Sequence, residues 1–145
     1  MPLAITDTVG VRRAEELIAW QLANAWKLEV YRLIGHSRGA SADLRFRDQL
    51  RDSASSVGMN IAEGFYRYGA ADMARFLSIA LASLGESALW LRDGIDREYF
   101  DEASCREAFV LAKRCRVATL RLRASLQPFI PTRRDPKDRK DRGRT

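Results

Sequence analysis

Histidine and cysteine are nearly missing from this 145-residue chain, which has one of the first, His36, and two of the second, Cys105 and Cys115. A zinc site built from these residue types is therefore not expected. The cysteines stand ten residues apart in a segment that reads as helix, a separation of about 15 Å by helical rise, which is too far for an intrachain disulfide. No run of 18 or more apolar residues is present to cross a membrane. The opening MPLAITDTVGVRRAEE lacks a charged segment followed by a continuous apolar one, so no secretory signal is expected and the cytoplasm is the default location.

Catalytic signatures are missing too. There is no nucleophile elbow, phosphate-binding glycine loop or HExxH. Glu63 and Glu86 are conceivable as paired carboxylates or metal ligands in a helical core, but di-iron sites of that kind use Glu-x-x-His pairs, and none occurs. His36 falls in a polar stretch with no motif around it. The expectation is a protein that is not an enzyme and requires neither metal nor cofactor.

What the chain has is helical periodicity. Apolar residues make up 46%, which excludes wholesale disorder, and the length suits one domain with a real core. Phe46, Leu50, Ala54, Val57, Ile61 and Phe65 recur at spacings of four, four, three, four and four, one stripe of an amphipathic helix. After Gly64 and Gly69 the phase resets, and Met73, Leu77, Ala80, Leu84, Ala88 and Leu91 form a second stripe. With so short a connection these two helices are expected to run antiparallel. Gly58 lies among small residues of the first of them; an interior glycine disfavours a helix by roughly 1 kcal/mol relative to alanine, so close backbone approach is its expected purpose.

Upstream, Trp20, Leu22, Trp26, Val30, Tyr31, Leu33 and Ile34 spread over about half the circumference of a helix, wider than one core contact requires. Gly35 suits the left-handed position after a helix end, residues 36–42 read as a polar loop, and Asp43 suits the cap of the next helix. Downstream, the third helix is expected to end near Asp93 and Gly94, and Asp101 is the expected cap of a last helix whose stripe is Ala108, Leu111, Cys115, Ala118 and Leu122, with Phe109, Val110, Val117 and Leu120 lying off it. The excess apolar surface of the first and last helices points to a subunit interface. Pro128 and Pro131 end the periodicity. The expected fold is all-α, an antiparallel up-and-down four-helix bundle over residues 12–127 with helices at 12–34, 43–66, 71–93 and 101–126. A flexible N-terminus at 1–11 and a disordered basic tail at 128–145 flank it.

A resemblance attaches to one part of this pattern. The string NIAEG at residues 60–64, preceded by Gln49, Leu50 and Arg51 and followed by Arg67 and FLSIA at 76–80, resembles the family of 23S rRNA intervening-sequence proteins. Weaker similarity runs upstream through Trp20, Ala23 and Tyr31 and downstream through Ser83, Leu84 and Glu86. The chain departs from that family in its first loop, GHSRGASAD, and at Gly69, Asp52 and Met73. The resemblance implies an up-and-down four-helix bundle, commonly a homopentamer, with a link to rRNA. It also suggests an adaptor like the accessory variability determinant of diversity-generating retroelements, a bundle that partners a reverse transcriptase and its RNA.

The motif residues Gln49, Asn60, Glu63 and Gly64 read as structural, the polar ones hydrogen-bonded across helices or to backbone at the hairpin because half-buried polar groups need partners. Net charge is +6, of which the tail, with seven basic and three acidic residues over 133–145, supplies +4. Candidate RNA contacts are Arg45, Arg47, Arg51 and Arg67 on the hairpin, Arg114 and Arg121 on the last helix with Arg116 and Arg123 beside them, and Arg133, Arg134, Lys137, Arg139, Lys140, Arg142 and Arg144 in the tail. The tail has no aromatic residue, which argues against base stacking there. Two functions fit: an oligomeric bundle associated with RNA through backbone charge, and a protein-only scaffold or interaction module.

Overall fold

The computed structural model describes residues 10–132, and among them it is helical without a strand. A 3-10 turn at Ala14–Glu16 leads into α1 (Ile18–Gly35), α2 (Arg38–Ala42), α3 (Leu44–Phe65), α4 (Ala70–Asp96) and α5 (Glu102–Leu126), and a second 3-10 turn follows at Gln127–Phe129. The all-α expectation holds, with five helices where four were expected. The extra one is α2, inside the stretch read as a loop. The Ser37 hydroxyl accepts a bond from the Ala40 N–H at 3.1 Å and closes a turn that buries Ala40. Five residues are too few for an apolar period to show in sequence.

Other boundaries move for identifiable reasons. The first helix begins at Ile18 rather than residue 12, because Leu17 takes extended backbone and is buried in the core. Gly35 is not a left-handed cap; it is the last residue of α1, and His36 follows at φ −90°. The helix expected at 71–93 is α4, which runs on to Asp96 with Gly94 inside it. A Cβ on Gly94 would stand 2.5 Å from Phe100 and 2.7 Å from Phe46, so this glycine serves contact and not termination. The chain then turns through Glu98 at φ 62°, and the N–H groups of Tyr99 and Phe100 donate back to the Gly94 carbonyl. The capping expectations hold: Asp43 Oδ1 accepts from Phe46 N at 3.2 Å and Asp101 Oδ1 from Ser104 N at 2.7 Å. Asp43 does more, taking bonds from the Tyr99 hydroxyl at 2.7 Å and from Arg97 at 3.1 Å on its other oxygen. Those bonds, the tyrosine's first, hold its carboxyl below the usual range.

Packing links the long helices in a cycle, α1 on α3, α3 on α4, α4 on α5 and α5 on α1. The stripes of α3 and α4 are buried as expected except for their half-buried members Phe65 and Ala88. At one end of the α3–α4 pair Phe46 meets Trp90, and at the other Gly64 meets Met73 and Phe76. On α5 the buried set is Cys105, Ala108, Ala112, Cys115, Thr119, Leu122 and Leu126, while Leu111 and Ala118 fall half-buried on its flank. The core face is thus rotated from the expected stripe. Thr119 was not expected inside, but its hydroxyl donates to the Cys115 carbonyl at 2.7 Å and so enters the core satisfied. Val11 packs against the core from before the first turn. Beyond residues 10–11 and 128–132, the expected flexible N-terminus and disordered tail lie outside the described residues.

Val57 is fully buried on α3 and Leu84 nearly so on α4. Val57→Asp or Leu84→Asp should each cost more than about 4 kcal/mol, comparable with the stability of a small domain. Circular dichroism is expected to show lost helicity and a collapsed melting transition. A mutant that melts like the wild type would mean that these faces do not form the core.

Candidate nucleic-acid interface

Solvent-facing positions of α5 carry its charge. From residue 113 to 123 the sequence KRCRVATLRLR holds five cations and no acid. Cys115, Thr119 and Leu122 take the inward positions, leaving Lys113, Arg114, Arg116 and Arg121 exposed and Arg123 half-buried. None of the five forms an ion pair among the described residues; Arg123 donates to the Ser78 hydroxyl at 3.0 Å across to α4. Lys113, Arg116 and Arg123 also rim an open cleft of about 740 Å³ between α4 and α5, floored by Leu81, Leu84 and Leu120. A surface of clustered, uncompensated cations attracts polyanions, and each phosphate it neutralises releases counterions.

The hairpin arginines are placed differently. Arg47 is paired with Asp48 at 3.1 Å and Arg67 with Glu63 at 2.7 Å, with Arg67 also 5.0 Å over the Phe76 ring. Arg51 lies 5.2 Å over the Tyr31 ring, and Arg45 is exposed at the start of α3. Since α3 and α5 each pack on α1 and α4, they stand across the core from one another. The structure therefore does not bring Arg45, Arg47 and Arg51 together with Arg114 and Arg121. Arg133, Arg134, Lys137, Arg139, Lys140, Arg142 and Arg144 lie outside the described residues. Lys113 was missed in the sequence reading, although projecting α5 onto a helix puts it on the same outer face as Val110 and Val117.

The NIAEG residues divide among several roles. Asn60 Nδ2 donates to the Ser56 carbonyl at 2.8 Å and to its hydroxyl at 2.9 Å, and that hydroxyl meets Ser83 of α4 at 3.0 Å, so the expected cross-helix network exists and passes through Ser56. Glu63 does not join it; its carboxylate is on the surface with Arg67, one turn along. Gln49 is exposed, and only its carbonyl takes part, accepting from Ser53. Gly64 is the close-approach glycine, since a Cβ there would sit 2.9 Å from Phe76 Cβ and 3.2 Å from the Met73 carbonyl oxygen. Gly58, for which that role was expected, does not need it: its nearest neighbours would be 3.5 Å away, an ordinary contact.

Among the described residues no cluster of three His, Cys, Asp or Glu could hold a metal. Both cysteines are buried and free, and burial pushes each thiol up to about 11. The thiolate is the reactive form, so at pH 8 both thiols should resist alkylation by iodoacetamide in the folded protein and react once it is unfolded. Rapid labelling of native protein would show that the core opens at Cys105 or Cys115.

The fold and the outer face of α5 define a class: an all-helical protein with a basic surface on its last long helix. The family of the 23S rRNA-intervening sequence protein matches residues 15–118, and the chain belongs to that family. No curated protein and no solved structure gives a significant match.

Proposed function

We propose that this is a non-enzymatic, self-associating helical-bundle protein that binds RNA with little sequence preference through the outer face of α5 and the basic tail. The uncompensated run of five cations at 113–123 carries the reading, and the family's link to an rRNA intervening sequence supports it. The four long helices are read as an antiparallel up-and-down bundle. Support comes from contacts between opposite ends: Phe46 with Trp90 and Gly64 with Phe76 for α3 and α4, and Arg92 with Glu102 and Ser78 with Arg123 for α4 and α5.

Self-association is supported by α4. Between Arg75 and Arg92 its only charge is Glu86. One 18-residue window in this helix reaches a mean hydropathy of 1.2, yet only 28% of that window is buried. Leu89 and Ile79 are exposed on it, Leu89 by 72%, and an apolar outer face of this kind suits another copy of the chain. Five copies are taken from the family resemblance. The same face supports the second reading, a protein-only scaffold or an adaptor for a reverse transcriptase, in which the partner of α4 is a different protein.

If three phosphates are neutralised, log Kd for structured RNA should change with log salt by a slope of about 2 to 3. Lys113→Glu with Arg116→Glu should flatten that slope, and deleting residues 133–145 should flatten it further while leaving assembly intact. Full-length protein that ignores structured RNA at low salt would leave the scaffold reading standing alone. For assembly, Leu89→Glu should shift light scattering towards the monomer with helicity retained, because the side chain is exposed; a wild type that is already monomeric would remove self-association.

A further inference from the structure

A second surface, on the opposite flank of α1 from α5, has a different chemistry. Trp20, Asn24, Lys27 and Tyr31 follow one another along α1 at spacings of four, three and four, so they share one face. Across from them stand Ser55, Gly58 and Met59 of α3, and between the two helices lies a cleft of about 330 Å³ lined by these residues. Arg51 adds its guanidinium over the Tyr31 ring. The aromatic residues at the two ends are eleven residues apart, about 16 Å by helical rise.

The cleft is rich in donors and has no carboxylate in its lining. Among the described residues Lys27 and Arg51 form no ion pair, and neither the Asn24 amide nor the Trp20 N–H has a side-chain hydrogen-bond partner there. Gly58 forms part of the wall, and packing does not require it: a Cβ there would sit 3.5 Å from Trp20 Nε1 and 3.7 Å from Ala23 Cβ. Glycine is a poor helix former, and at this position its missing side chain leaves the cleft open. Rings at both ends, Lys27 between them, Arg51 over the Tyr31 ring and an amide with no partner among the described residues match a ligand with planar bases joined by phosphates. Grooves that hold single-stranded nucleic acid combine these two elements, stacking platforms and backbone cations.

We propose that the α1–α3 cleft is a track for a short single strand of RNA. One base stacks on Trp20 and another reaches Tyr31, while Lys27 and Arg51 take the phosphates between and Asn24 bonds to a base edge or sugar. The inference rests on the reading of the protein as RNA-binding and adds to it a separate site that selects unpaired strand, whereas the α5 face responds to charge alone.

The test compares a fluorescein-labelled single-stranded oligoadenylate with an RNA duplex of equal length on full-length protein. Stacking contributes roughly 1–3 kcal/mol per base, about 5- to 150-fold in affinity. Trp20→Ala and Tyr31→Ala should therefore weaken single-strand binding by about tenfold and leave duplex binding unchanged. Both side chains are half-buried, so Lys27→Gln and Gly58→Ala, whose added Cβ would make only ordinary contacts, are made alongside; each should also weaken single-strand binding selectively, with wild-type helicity. If the cleft variants bind both RNAs like the wild type while Lys113→Glu with Arg116→Glu loses both, the cleft proposal falls and the α5 reading stands. If the wild type binds neither RNA, both fall. Adenosine monophosphate that quenches tryptophan fluorescence of the wild type, and not of Trp20→Ala, at the same concentrations as the strand would overturn the strand in favour of a free nucleotide. Cleft variants that alter light scattering and not RNA binding would overturn it in favour of a second copy of the chain.

Discussion

The distance between α3 and α4 is fixed by two glycines, one at each end of the pair. Gly64 allows the end of α3 to lie on Met73 and Phe76, and Gly94 allows the end of α4 to lie beneath Phe46 and Phe100. Any side chain at either position would collide with atoms that belong to the core or the backbone. Much else follows from the Gly94 contact. Phe46 can then gather Trp90, Tyr99 and Phe100 around its ring at centroid distances of 5.1 to 6.1 Å. Tyr99 in turn lies against Gly39 of α2, where a Cβ would come within 2.6 Å of its ring, and bonds to the Asp43 cap. One aromatic cluster therefore joins α2, the start of α3, the end of α4 and the turn into α5.

Inside the core a few polar groups define register more than they add stability. Trp26 Nε1 donates to the Ser87 hydroxyl at 3.1 Å, tying α1 to α4 across the middle of the protein. Ser56 and Ser83 do the same for α3 and α4, and the Cys115 thiol approaches the Ala19 carbonyl at 3.8 Å from α5 to α1. No buried side-chain nitrogen or oxygen among the described residues lacks a partner. Sliding one helix by a turn would break these pairs and leave buried polar groups unsatisfied, at about 1–3 kcal/mol each.

Charge is partitioned by helix. On α3 the arginines alternate with Asp48, Asp52 and Glu63 and are partly spent on ion pairs or rings, whereas the second half of α5 has cations alone. Exposed ion pairs of this kind contribute little to stability. Their larger effect is to decide where a continuous run of cations faces a polyanion without acids among them, and that run is on α5; on α3 the charges are mixed, with Arg45 and Arg51 outside the ion pairs among the described residues.

The sequence by itself determined the helical class, the inward faces of α3 and α4, the Asp43 and Asp101 caps and the family, because each rests on local spacing or on a contiguous string. It also placed a basic surface on the last helix. It did not reveal which glycines matter: Gly58 and Gly94 read in sequence as a contact and a stop, and the fold made the first a cleft wall and the second a contact. Nor did it show that Glu63 faces water, that Thr119 faces the core, or that Trp20, Lys27 and Tyr31 line a cleft with Arg51 near it. Those outcomes depend on which residues of distant segments meet. Helical periodicity fixes the direction of a side chain on its own helix, and only the packing of one helix on another decides what stands opposite.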